Sequence, residues 1–343
     1  WFSKIDSKSA YHQIKLDPSD YKLTAFEACG KRFECKRLPF GITNAVAIFQ
    51  RVMTNFVEKY NLKKTYPYLD DIIIAGNSEK EHDENLKHFR EAAIVANIYL
   101  NDAKCEYRVS KIAFLGYLIE NNTLKPDPER LRALMEFPIP NSPKKLDRLI
   151  GFFAYYAKWI PNCSNLTKIL SNSRKLLVKK EPLPKSCIDT ISTLKEAPRT
   201  ASLTSINHKL PLVIETDVSD SAIGSSLSQE GKPVAFFSRI LQISERKHST
   251  VEREALAIVE SCIKWRHILH SDPGFTIVTD QKVVSFMFDQ THTSKIKNEK
   301  ITRWRIALSD FKFNISYRPG ADYIAADALS RCATIFNSRS LHT

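Results

Sequence analysis

Apolar residues at Ala45, Ala47, Ile48, Phe49, Val52, Met53 and Phe56 recur at the spacing of one helix face, which predicts a helix over Asn44–Tyr60. A second helix, opening in charged residues, is predicted over Glu81–Ala96, and YPYLDDIIIAGN at 66–77 between them reads as a hairpin. FSKID near the start, YHQIKL at 11–16 and KLTAFEA at 22–28 read as further strands, and KIAFLGYLI at 111–119 as a strand pair. From 125 to 208 this pattern breaks up. Nine of the sixteen prolines fall there, and KPDPE, FPIPNSP and EPLPK separate short helices. The helix around Leu146–Ile160 carries LIGFFAYYAKWI, whose aromatics suit a core better than a base-stacking surface. Residues 209–331 change character again. Strands LPLVIETD, IGSSLSQ and PVAFFSRI are followed by a helix over Thr250–Leu269, strand FTIVTD, another helical region, strand FKFNISYR and a final helix IAADALSR. The fold class expected is therefore multidomain α+β. Residues 1–124 alternate strand and helix signals, 125–208 read as a helical region, 209–331 as an α/β domain with a mixed sheet, and 332–343 as a tail or linker.

Composition narrows the partners. The 343 residues give room for about two or three domains of ordinary size. With 43% hydrophobic and 26% charged residues the chain is globular in composition, not disordered. No apolar run approaches the roughly 20 residues of a membrane helix, so no membrane partner is expected. The opening WFSKIDSKSA has neither a methionine nor a signal-peptide core, and reads as a piece of something longer, opened inside a strand. Seven scattered cysteines with no CxxC pair suggest neither a disulfide framework nor a zinc ribbon. An intracellular, reducing setting fits them. The net charge is +13, and residues 125–208 hold 15 Lys and Arg against 7 Asp and Glu. Such a belt suggests a polyanion, nucleic acid before membrane; a solvated surface kept soluble by charge remains the alternative.

Two groups of acids carry candidate chemistry. Asp70 and Asp71 sit between strand-forming residues, where aspartate is disfavoured and two like charges are costly. Asp6 ends the opening strand. A strand-borne carboxylate beside such a pair can hold divalent ions, and magnesium prefers hard oxygen ligands shared with phosphates. The alternative is a polar hairpin turn, although glycine or asparagine would serve a turn better. Farther on, ETDVSD at 215–220, the helix start STVEREALAIV, TDQK at 279–282 and AADALSR at 325–331 place acids at strand and helix ends. Asp217 and Asp280 each follow a threonine at the end of a β-branched strand, which suits two-metal phosphodiester chemistry with water as nucleophile. Taken singly, each acid also reads as a strand-end or cap residue. His267 and His270 lack a third ligand nearby, and no phosphate-binding GxxxxGK[ST] loop or GxSxG elbow is present.

FSKIDSKSAYHQI, LPFGITNAVAIFQRVM, YLDDIII, LNDAKCEY and IAFLGYLI, in this order, resemble the reverse transcriptase of gypsy-type LTR retrotransposons. The later acids resemble the RNase H domain that follows it. The resemblance implies a polymerase palm, an antiparallel sheet with helices, over 1–124, a thumb and connection over 125–208, and an RNase H domain over 209–331. It places the polymerase triad on Asp6, Asp70 and Asp71, with Asp6 and Asp70 the main metal ligands. It makes Tyr11 a gate against a ribose 2′-hydroxyl, since a ring packed under the sugar leaves no room for the extra oxygen. Pro39, Phe40 and Gly41 in LPFG fall near the incoming nucleotide and template base. Lys104 falls near the triphosphate, with a solvated surface lysine as the alternative. Phe114, Leu115, Gly116 and Tyr117 match the hairpin that grips the primer end. The nuclease ligands fall on Asp217, Glu254, Asp280 and Asp327. Glu252 competes with Glu254, and the spacing to Ala257 and Ile258 favours Glu254.

The resemblance also implies two magnesium ions per site, with manganese as a substitute. The partners it implies are an RNA or DNA template, a primer, RNA–DNA hybrids and deoxynucleoside triphosphates. Protease and integrase domains are expected in the parent chain, and a cytoplasmic virus-like particle or the nucleus as its location. Ala10 and Val46 stand where the family usually has glycine and proline, and Gln281 and Tyr323 where it often has histidine and asparagine. The fingers are expected to be missing from this stretch, which predicts poor polymerisation by the piece alone. A domesticated or impaired nucleic-acid-binding remnant, and a nuclease with a passive palm, are the rival readings.

Overall fold

A computed structural model describes residues 1–270, 273–289 and 298–319. The chain forms two compact units, Trp1–Ala113 and Phe114 onward. The first is built on a four-stranded antiparallel sheet of β1 (Phe2–Asp6), β4 (Thr65–Tyr68), β5 (Asp71–Ala75) and β6 (Glu106–Val109), in the order β4-β5-β1-β6. A small hairpin of β2 (Phe26–Ala28) and β3 (Lys31–Phe33) stands apart, and β7 (Lys111–Phe114), which spans the border at residue 113, is the edge strand of the four-stranded sheet that opens the second unit. Helices α1 (Ala45–Lys59) and α2 (Glu79–Val95) cover the sheet. Phe49, Met53 and Phe56 of α1 and Phe89 of α2 bury themselves with Ile5, Ile72 and Ile74 in one core. The isoleucine run is thus a central strand pressed under helices, where β-branched side chains pack well. Ser78 caps α2 by accepting from the Glu81 N–H.

The stretches 11–16 and 22–28 are not the strands their alternation suggests. Ala10–Gln13 and Pro18–Thr24 are 3₁₀ turns, Lys15 makes a single bridge to Arg37, and of these stretches Phe26–Ala28 alone is a strand. Asp17 caps the second turn and Pro18 sets its first dihedral, so local capping outweighs β propensity there.

The second unit opens with β8 (Tyr117–Glu120) and β9 (Thr123–Pro126), antiparallel to each other and continued by β10 (Leu203–Thr204). Between them lie α3 (Pro128–Met135), α4 (Pro143–Tyr156), α5 (Cys163–Asn172), α6 (Arg174–Val178) and α7 (Lys185–Thr200). Leu146, Leu149, Phe153, Tyr156 and Trp159 are all buried in the core of these helices. Most of the LIGFFAYYAKWI aromatics are therefore core, while Tyr155 stays 45% exposed. Lys195 of α7 donates to the Met135 and Phe137 carbonyls and closes the C-terminus of α3.

The rest of the unit is a five-stranded mixed sheet, β13-β12-β11-β14-β15. Its strands are β11 (Leu212–Val218), β12 (Ala222–Gln229), β13 (Lys232–Ile240), β14 (Phe275–Thr279) and β15 (Phe313–Tyr317). β11, β12 and β13 run antiparallel, whereas β14 and β15 lie parallel to β11. Helix α8 (Thr250–Lys264) packs on β11 and β12, opened by a full capping box between Ser249 and Glu252. The helix predicted over Thr250–Leu269 is in fact two. Trp265 leaves helical geometry (φ −102°, ψ 17°) and separates α8 from α9 (Arg266–Leu269). Helices α10 (Lys282–Phe288) and α11 (Glu299–Leu308) complete the described part. The predicted helix IAADALSR, and Asp327 and Tyr323 with it, lie outside the described residues.

Candidate active sites

In the first unit Asp6 and Asp71 are direct cross-strand partners, and the Ser7 N–H donates to the Asp70 carbonyl at 3.0 Å. Paired residues in an antiparallel ladder point to one face, with Cβ atoms about 5 Å apart. Asp6 and Asp71 therefore share a face at one end of the sheet, with Asp70 next to Asp71 in the chain. Asp70 sits in the two-residue turn between β4 and β5, whose first residue, Leu69, has a left-handed backbone (φ 54°). Gln50 of α1 holds that turn. Its amide accepts from the Leu69 N–H at 2.9 Å and donates to the Pro67 carbonyl at 3.0 Å. Lys4, two residues before Asp6 and on the same face, places its ammonium 3.3 Å from the Asp71 carboxylate.

Several residues expected at the nucleotide side lie within this unit. The Tyr11 ring lies 5.4 Å from Phe40 and 5.3 Å from Phe49, centroid to centroid. Leu38 is buried, Pro39 half-buried, Phe40 exposed, and Gly41 adopts φ +90°, a backbone that favours glycine. Lys104 is exposed at the end of a short turn, whose first residues are tied to the triad because the Asn101 N–H donates to the Asp6 carbonyl. In the second unit, Leu115 (φ 51°) and Gly116 (φ +83°) form the turn before β8. A Cβ on Gly116 would run into the Tyr155 hydroxyl and the Arg130 guanidinium. Tyr117 accepts from the Lys158 ammonium, which also lies over the Tyr117 and Trp159 rings. Burial lowers the Lys158 pKa and raises that of Tyr117.

The second acidic group has a different logic. β11 and β14 are parallel with Glu215 opposite Val278, so two residues on Asp217 and Asp280 come level at their C-terminal ends. Glu254 approaches from α8, with the Thr216 hydroxyl 3.5 Å from its carboxylate. Glu254 is only 4% exposed, and burial, then the charges of Asp280 and Asp217, push its carboxyl up to about 8. Burial and the Asp280 charge also raise Asp217. Glu252 is otherwise engaged: it completes the capping box and pairs with Lys300 at 2.9 Å. Of the two candidates, Glu254 is the one that shares a field with the aspartates. Gln281 opens α10, its carbonyl accepting from the Val284 N–H. The exposed His270 stacks on Phe311 and accepts from Arg266.

Both groups fit a hard divalent cation by donor chemistry, being carboxylates gathered at a strand end. In the nuclease group the fit has a further sign: the charges of Asp280 and Asp217 add to the cost of ionising the buried Glu254, and that of Asp280 to the cost of ionising Asp217, which a cation would relieve. As they stand, no three His, Cys, Asp or Glu side chains among the described residues converge closely enough to grip an ion. Bare carboxylates repel, and Lys4 already engages Asp71.

Residues 1–119 match the reverse transcriptase (RNA-dependent DNA polymerase) family, and residues 207–311 match the RNase H-like domain found in reverse transcriptase. The chain belongs to the reverse transcriptases that carry an RNase H-like domain, in the arrangement of retrotransposon Pol polyproteins. It is similar to the "Retrovirus-related Pol polyprotein from transposon 297" of Drosophila melanogaster, 34% identical over 332 residues, spanning 96% of this chain and 31% of that protein. It is also similar to the "Transposon Tf2-3 polyprotein" of Schizosaccharomyces pombe, 34% identical over 338 residues, spanning 96% of this chain and 25% of that one. The chain thus spans between a quarter and a third of these relatives. Among solved structures, the foamy viral protease-reverse transcriptase in complex with dsDNA shares the fold, with TM-score 0.79 at 20% identity over 93% of this chain and 67% of that one. The same viral protein in complex with an RNA/DNA hybrid gives 0.77 at 20% identity, over 93% and 44%.

Proposed function

We propose that this chain is the catalytic region of an RNA-directed DNA polymerase joined to a ribonuclease H that cleaves the RNA of RNA–DNA hybrids. The observation that carries the reading is the level pairing of Asp217 with Asp280 under the buried Glu254. Such a costly grouping has no structural benefit of its own. Asp6, Asp70 and Asp71 would hold the polymerase ions, and Asp217, Glu254 and Asp280, with Asp327 expected as fourth, those of the nuclease. Two bound magnesium or manganese ions per site supply charge stabilisation to the attacking and leaving oxygens of an in-line displacement.

The residues themselves do the positioning. The Tyr11 ring, wedged between Phe40 and Phe49, forms a floor that excludes a ribose 2′-hydroxyl. Leu115–Tyr117 turns the chain where a primer end would rest, and the basic helices from 125 to 208 neutralise phosphates, so affinity falls as salt rises. Template, primer, hybrid and deoxynucleoside triphosphates are the partners this reading requires. The foamy viral relative, bound to dsDNA and to an RNA/DNA hybrid, supports nucleic acid as the ligand. Protease and integrase segments in a parent polyprotein fit the reading too.

The test is primer extension and hybrid cleavage with magnesium, comparing wild type with Asp6→Asn and Asp217→Asn. Each substitution is expected to abolish one activity and spare the other. Cleavage without extension in every chain would leave a nuclease alone. Hybrid binding with neither activity would leave a binding module.

A further inference from the structure

Asp217, Gly224 and Ser238 form one lateral row across β11, β12 and β13, since Gly224 is the ladder partner of both others. Residues paired in this way project to the same face. On that face, next to Asp217, lies the turn at Asn162 that opens α5, from outside the sheet. The Ser164 N–H donates to the Ser238 hydroxyl at 2.9 Å, and that hydroxyl donates to the Ser164 hydroxyl at 3.1 Å. Ser221, at the mouth of β12, donates to the Asn165 amide oxygen at 3.4 Å. Asn162 holds a left-handed backbone (φ 51°), and its amide oxygen sits 2.7 Å from where a Cβ of Gly224 would stand. The turn therefore fills the side-chain position that Gly224 leaves empty, one strand away from Asp217.

We infer that Pro161–Asn165, the turn that leads into α5 and its first residues, braces the strand pair carrying Asp217, and that Asn162 is a positioning residue for the nuclease centre. The inference rests on the nuclease reading above. β12 is joined to β11 by the ladder around Asp217, so a shift of β12 carries that carboxylate with it. A packed brace permits few intermediate positions. Asn162 belongs to the helical region before the sheet, so this region does more than bind phosphate: it sets the geometry of hydrolysis.

The experiment uses the full chain with Gly224→Val, Asn162→Gly and the pair combined. Gly224→Val drives a branched side chain into the Asn162 amide. Asn162→Gly keeps the left-handed backbone and clears the space. Hybrid cleavage by Gly224→Val is expected to lose about tenfold in kcat with KM held within about twofold, and the magnesium concentration for half-maximal rate to rise. Adding Asn162→Gly is expected to restore most of the rate. Cleavage by Gly224→Val at the wild-type kcat would overturn the brace, and so would failure of Asn162→Gly to rescue it. Thermal midpoints of the four chains form a second, activity-independent cycle. If the wild type cleaves no hybrid, the nuclease reading falls. The cycle still decides the brace, because coupled midpoints support it and additive ones reject it.

Discussion

Lys4 holds its ammonium 3.3 Å from the Asp71 carboxylate, on the face of the sheet that Asp6 shares. The pair is partly exposed and contributes little stability, on the order of 0–1 kcal/mol. Its consequence is competition, since the lysine and a divalent ion claim the same carboxylate. In a chain carrying Asp217→Asn to weaken the nuclease centre, Lys4→Met is expected to bind manganese several-fold more tightly. Paramagnetic relaxation of water protons during titration measures this. Unchanged or weaker binding would show that Lys4 and the ion do not share Asp71.

The Gln50 amide is the tie between α1 and the turn that presents Asp70. Gln50→Leu leaves the Leu69 N–H and the Pro67 carbonyl without that partner, and is expected to cost about 1–3 kcal/mol. Urea unfolding of the first unit, followed by tyrosine fluorescence, reads the cost. Leu69→Gly in the Gln50→Leu background is expected to recover part of it, because glycine accepts φ 54° without strain.

Neither Gln50 nor Lys4 was legible as a participant in the sequence, for different reasons. The Gln50 contacts cross from a helix to a turn, and no local spacing announces them. Lys4 did leave a signal, standing two residues before Asp6 in FSKID, which puts both on one strand face. Helices α1 and α2, the isoleucine strand and the strand pair near 111–119 were legible because their periodicities are strong and their burial matches them. The 3₁₀ turns at 10–24 were not, since alternation there competes with caps at Asp17 and a proline. For Glu252 and Glu254, two residues apart on one helix, the spacing to Ala257 and Ile258 favours Glu254, and the fold adds the reason: Glu252 caps the helix while Glu254 is buried.

Glu254 sets a pH dependence whose sign is fixed by its environment. Its carboxyl rises from an ordinary 4.5 to about 8 on folding, so between those values the folded chain binds the extra proton. The metal-free protein is therefore expected to lose stability as pH rises from about 5 to 8, by up to about 1.4 kcal/mol per pH unit from this group. Thermal melts in a chelator, wild type against Glu254→Gln, isolate the effect. The slope should flatten in the variant, and magnesium should oppose it in the wild type. Equal slopes in both chains would refute the assignment.

Gly116→Ala combines a left-handed backbone with a methyl directed at the Tyr155 hydroxyl and Arg130. A loss of roughly 1–3 kcal/mol is expected from strain and displaced neighbours together. Tyr155→Phe should relieve only the steric part, and melting of the single and double variants separates the two.

The stretch similar to RNase H-like domains begins at residue 207, yet the residues seated on Gly224 and Ser238 are Asn162 and Ser164. The inherited module and the folding unit thus have different borders. A nuclease cut out at the first border would carry an open groove beside its own reactive carboxylate, with the Ser238 hydroxyl handed to water. Excision would trade a fitted wall for solvent at the place where geometry matters most. That gives the fused architecture a physical advantage in the nuclease itself, apart from any convenience of making two enzymes on one chain.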